Sequence, residues 1–152
     1  MIMKNIFNTD VTTEVISRIN NLTAATRPKW GKMSVQQMLA HCCVAYEMVY
    51  TDKHPKPNAL TRFMLKLFVK KAVVNQKPYA KNSRTAPQFI IQDNRKFETE
   101  KTRLVDFILK TQALGVEHFN GKVSHSFGAL TATEWKNSFY KHLDHHLTQF
   151  GV

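Results

Sequence analysis

Residues 135–152 read WKNSFYKHLDHHLTQFGV, with three histidines inside five positions. Thr131 followed by Glu134 has the spacing of a capping box, so a helix opens just before this stretch, and Gly151 ends it. Advancing about 100° per residue from Trp135 puts Phe139, Leu143 and Phe150 on one stripe, between about +40° and about +80°. On the same wheel His142 and His146 fall at about −20° and about +20°, within the buried face. His145 lies at a shoulder and Asp144 points almost opposite. This is an amphipathic helix with two imidazoles aimed at the core, not a solvated histidine tract.

The rest of the chain reads in the same period. Asp10 can cap a first helix that carries Val11, Val15, Ile16 and Ile19 to about residue 22. Ser34 and Gln37 form a second capping box and open a helix that runs to Tyr50. Residues 59–75 suggest a shorter third helix, nearly apolar except for Arg62, Lys66, Lys70 and Lys71. Phe97, Leu104, Val105, Ile108 and Leu109 repeat at helical spacing, which predicts a helix over 93–115. FII at 89–91 is the one strand candidate, and 119–130 reads as a loop. The fold class is all-α, a four-helix bundle with an additional short helix, in a single domain spanning 1–152.

With 43% hydrophobic residues, the 152-residue chain can fill a core of its own, and five Gly and five Pro are few for a β-sandwich. Neither a signal-peptide apolar region nor a run of about 18 apolar residues is present, so a cytoplasmic setting is expected. Cys42 and Cys43 are chain neighbours on one helix and cannot close an ordinary disulfide. The formal charge of +11 favours anionic partners without choosing among them.

Burying His142 and His146 one turn apart is costly unless their nitrogens find partners. A divalent ion bridging i and i+4 is one solution, and bonds to carboxylates or backbone carbonyls are another. His41, on the second helix, sits about 80° from the centre of the stripe Val35, Met38, Cys42, Ala45 and Val49, at the rim of the buried face.

WGKMSVQQMLAHC at 30–42 and YKHLDHHLTQF at 140–150 resemble the DinB/YfiT-like superfamily. Together with HSFGALTATEW at 125–135, they resemble a branch catalogued as a domain of unknown function. The similarity covers most of the chain and is weakest over 53–92. It implies a four-helix bundle, often homodimeric, with a three-histidine metal centre. Its first ligand maps onto His41 and its H-x-x-x-H pair onto His142 and His146, leaving His145 outside. The superfamily includes metal-dependent hydrolases and transferases that use low-molecular-weight thiols, so both reactions stay open. Zinc is the default ion, and nickel or ferrous iron also suits imidazole.

Gln149 shares the histidine-bearing face and can orient a ligand, and His125 matches the branch pattern as a candidate for the pocket mouth. No general base stands out: Glu100 lies near the edge of its stripe and Glu47 points away from its own. Cys42 faces the core as a small hydrophobe and Cys43 faces elsewhere. His54 and His118 carry no functional argument. The expected partner is a small, anionic substrate. A different class of function rests on residues 53–92, which hold Lys53, Lys56, Arg62, Lys66, Lys70, Lys71, Lys77, Lys81 and Arg84 and no acid. Such a segment suits a non-catalytic role on nucleic acid or an anionic surface, although no known nucleic-acid module is recognisable in it.

Overall fold

The computed structural model describes residues 3–152. Its helices are α1 Thr9–Asn20, α2 Val35–Tyr50, α3 Ala59–Phe68, α4 Lys70–Val74, α5 Phe97–Phe119 and α6 Ala132–Gln149. Pro87–Phe89 forms a 3-10 turn, and β1 Val123–Ser124 pairs antiparallel with β2 Gly128–Ala129. The packing is all-α. The four longer helices, α1, α2, α5 and α6, enclose one core that includes Val15, Ile19, Met38, Leu39, Leu104, Ile108, Phe139 and Leu143.

Both capping boxes form. Ser34 and Gln37 exchange bonds at the start of α2, and Thr131 and Glu134 do so at the start of α6. At α1 the cap is Asn8 rather than Asp10, and Asp10 sits in the first turn, where its charge meets the positive end of the helix dipole. α5 begins at Phe97, four residues later than its periodicity suggests. At Gly115 its backbone turns to φ 74°, ψ 172°, a conformation open to glycine, before the helical path resumes to Phe119. The expected single helix over 59–75 divides at Val69. Phe89 lies in the 3-10 turn and not in a strand, while the hairpin at 123–129 lies where a plain loop was expected.

α2 is covered on more than one face, since α5, α6 and the 3-10 turn all lie against it. This corrects two expectations drawn from a single buried stripe. Cys43 is fully buried, with its thiol against the Glu100 carbonyl at 3.9 Å. Glu47 is buried too, and it is charge-paired. Arg103 bridges Glu47 on α2 to Glu100 on its own helix, Arg95 adds a 3.3 Å bond to Glu100, and His54 and Lys53 reach Glu47 at 2.7 and 3.1 Å. Burial alone would raise the Glu47 carboxyl, but the bonds from His54, Lys53 and Arg103 outweigh it and hold it below the usual range. Both carboxylates are consumed in cross-bracing α2 to α5.

Arg103→Met should leave Glu47 and Glu100 short of a shared partner and destabilise the protein by about 1.5–3 kcal/mol. Urea unfolding should show the loss, and an unchanged midpoint would mean that the two carboxylates are satisfied without the arginine.

Candidate metal centre

α2 and α6 run antiparallel, and their facing turns bring His41 to His142 and His146. One ligand nitrogen from each of the three lies within 4.8 Å of the others. His41 Nε2 and His142 Nε2 are 3.0 Å apart. The ring centroids of His41 stand 5.0 Å from His142 and 4.5 Å from His146. Two nitrogens bound to one zinc at about 2.0–2.1 Å each in tetrahedral geometry stand about 3.3 Å apart. The His41–His142 pair stands within a few tenths of an ångström of that spacing, and the remaining separations, all within 4.8 Å, lie within reach of it by side-chain torsion.

The outer hydrogen bonds fix which nitrogen each ring presents. His41 Nδ1 lies 2.8 Å from the Phe89 carbonyl oxygen, which can only accept, so Nδ1 carries the proton and Nε2 faces the cluster with a lone pair. Gln149 Nε2 donates to the Trp30 carbonyl at 2.8 Å, which turns its Oε1 toward His146. Oε1 accepts from His146 Nδ1 at 2.8 Å, so His146 also presents a bare Nε2. His142 then donates from Nε2 to His41 Nε2. Loading an ion requires His142 alone to move its proton, a tautomer change with no net deprotonation. Outer bonds at Nδ1 of this kind are those that orient metal-ligating histidines.

The electrostatics agree. Burial lowers the His41 and His142 imidazoles, the latter strongly and with help from its histidine neighbours, and brings His146 down to about 3. None of the three bonds a carboxylate. All three are neutral at pH 7, which is the form that ligates. His41 and His146 are buried residues and His142 is intermediate, with the Phe89 ring 5.8 Å from the His142 ring.

Gln149 thus lies where its shared face with the histidines suggested. His145 and Asp144 point away: His145 packs edge-on against Trp30 and Tyr79, and Asp144 pairs with Arg18 at 2.8 Å. His125 is not brought to the cluster. It precedes α6, whose start lies about 15 Å of helix before His142 at 1.5 Å per residue, and its Nε2 binds the His54 and Pro55 carbonyls at 3.1 Å. Cys42 and Cys43 are buried thiols. Burial pushes the first well up and the second to about 12, so both stay protonated.

Two contributors escaped the sequence reading. Phe89 and Trp30 act through backbone carbonyls, which carry no side-chain signature. Gly31 is a third: at φ +82° a Cβ there would meet Gln149 Nε2 at 2.6 Å, so glycine leaves room for the amide that orients His146.

Fold and site together define a helical protein with a buried three-histidine cluster able to hold a metal ion. Comparison of the chain with protein-family models, with curated proteins and with solved structures gave no match.

Two outcomes follow. In the metal-free protein the folded-state histidines have lower pKa values than the unfolded chain's, about 6.5, so the unfolded state binds more protons as pH falls. Stability is complete above that value and is lost progressively below it. The urea midpoint should drop between about pH 7 and about pH 5, a range above the carboxylate titrations, and a flat profile would contradict neutral burial. Gln149→Leu and Gly31→Ala should each weaken metal binding by about 10–100-fold, measured by competition with a chromophoric chelator. Unchanged affinity in both would show that the amide does not orient His146.

Proposed function

We propose that the protein is a metal-dependent enzyme of the DinB/YfiT-like kind, acting as a hydrolase or as a transferase that uses a low-molecular-weight thiol. The observation that carries this reading is the donor set: three neutral imidazoles on two helices, two of them oriented by Nδ1 donation and none bonded to an acid. A three-imidazole site differs from a closed four-ligand structural site in leaving a divalent ion a position for water or substrate, where it acts as a Lewis acid; zinc is the first choice, then nickel or ferrous iron. The motifs at 30–42 and 140–150 support the superfamily reading, and with it a homodimer.

In this scheme His41, His142 and His146 hold the ion, Gln149 and the Phe89 carbonyl keep two rings aimed, and the aromatic wall of Phe89 limits access of water. Glu47 and Glu100 are spent in ion pairs and Cys42 and Cys43 stay as thiols, so none serves as base or nucleophile. Across His145 from the cluster lies a cavity of about 300 Å³ walled by Trp30 and Tyr79. Lys81 and Lys141 border it against the single acid Asp144, a balance that favours a small anionic substrate.

Elemental analysis of protein purified without a histidine tag should find close to one divalent ion per chain. His146→Ala should lose most of it while keeping the helical circular dichroism, because the core is built from apolar stripes on four helices and not from the ion. His145→Ala, adjacent but turned by about 100°, should keep it. Unfolding of the His146 variant would mark the site as structural, and full occupancy in both would remove the metal reading.

A further inference from the structure

α3 repeats Leu60, Phe63, Met64, Leu67 and Phe68 at i, i+3, i+4, i+7 and i+8, the spacing of a core-facing stripe. In the fold that stripe faces outward. Phe63 is 60% exposed, Phe68 71% and Leu60 73%, and α3 buries no residue. Only Leu65 is partly covered by the body of the protein. The surface is an apolar ridge about 15 Å long on a ten-residue helix. Contiguous exposed apolar surface of this kind marks an interaction site rather than a random surface residue.

The charge around the ridge selects its partner. Residues 53–92 hold nine Lys and Arg and no acid. On a helical wheel Lys66 lies about 60° beyond Phe63 and Arg62 about 100° beyond it, on the polar side of α3. With Lys71 and Lys77 they are exposed and make no ion pair among the described residues. A second copy of the chain carries the same cations and offers no acid from this segment to pair with them. Nucleic acid would use the cations but has no need of a Leu, Met and Phe stripe. An anionic bilayer uses both, since the apolar face enters the acyl boundary while the basic flank meets the headgroups.

We propose that α3 docks the protein, lying in the interface plane, on membranes that contain anionic phospholipid. No helix among the described residues is long and apolar enough to cross a membrane, so the contact is peripheral. It is independent of the histidine cluster.

The test uses the full chain and vesicles of phosphatidylglycerol with phosphatidylcholine, against vesicles of phosphatidylcholine alone. The protein should co-sediment with the anionic vesicles and not with the neutral ones. In Phe63→Trp, the emission added to that of Trp30 and Trp135 should shift to the blue on binding. Phe63→Glu with Leu67→Glu should weaken partitioning by more than about tenfold with unchanged circular dichroism, because α3 supplies nothing to the core. Arg62→Ala and Lys66→Ala should each cost about fivefold. The proposal is overturned by absence of co-sedimentation, or by co-sedimentation without the blue shift. It is equally overturned by a dimer in sedimentation velocity that the double glutamate variant dissolves, or by tighter binding to an oligonucleotide than to the anionic vesicles.

Discussion

The imidazoles of His41, His142 and His146 are withdrawn from water with no carboxylate bonded to any of them. An uncompensated buried polar group costs about 1–3 kcal/mol, and three of them together threaten a large share of a marginal stability. Much of the surrounding structure answers that cost. The Phe89 carbonyl takes one N–H, the Gln149 amide takes a second and is itself fixed by the Trp30 carbonyl, and the third N–H is shared inside the cluster. The connection from α1 to α2 must pass over the end of α6 to supply Trp30, and the Lys29 N–H meets the Gln149 carbonyl at 2.7 Å on the same path. Gly31 clears the space that this crossing needs.

The parts of this arrangement that were legible beforehand are those with a local code. Ser34 with Gln37 and Thr131 with Glu134 announce helix starts because both partners lie within one turn. His142 and His146 could be placed because a helical wheel needs only the neighbours on one helix. His41 was harder: its stripe puts it at a rim, and its burial comes from α6 and from Phe89, which is 48 residues away in the chain. Glu47 and Cys43 were misplaced for a related reason. A single-stripe wheel assumes one covered face, while α2 is covered on several. The hairpin at 123–129 has strands of two residues, too short to show an alternating period.

Polar side chains also decide how the weakly packed part of the chain is attached. Lys141 is buried, yet its ammonium meets no carboxylate; it donates to the Ala72 and Asn75 carbonyls at 2.7 and 2.8 Å and to Asn75 Oδ1 at 3.0 Å. Burial lowers it to about 8, and the oxygens at the end of α4 are what a cation favours there. Asn137 donates to the Val74 carbonyl at 2.9 Å, and Lys70 pairs with Glu134 at 2.8 Å. α4 is therefore hung from α6 by backbone carbonyls and one ion pair more than by apolar packing, and this leaves α3 free to project.

No residue from 51 to 96 is buried, and the oxygen that holds His41 belongs to that stretch. Segments with few buried contacts open at a free energy far below that of the whole fold. A local opening of the turn at Pro87–Phe89 would free the His41 Nδ1–H from its acceptor without requiring α2 or α6 to unfold. The cluster therefore rests on two kinds of support: its three rings are placed by helices of the core, and the orientation of one ring depends on a strap outside it.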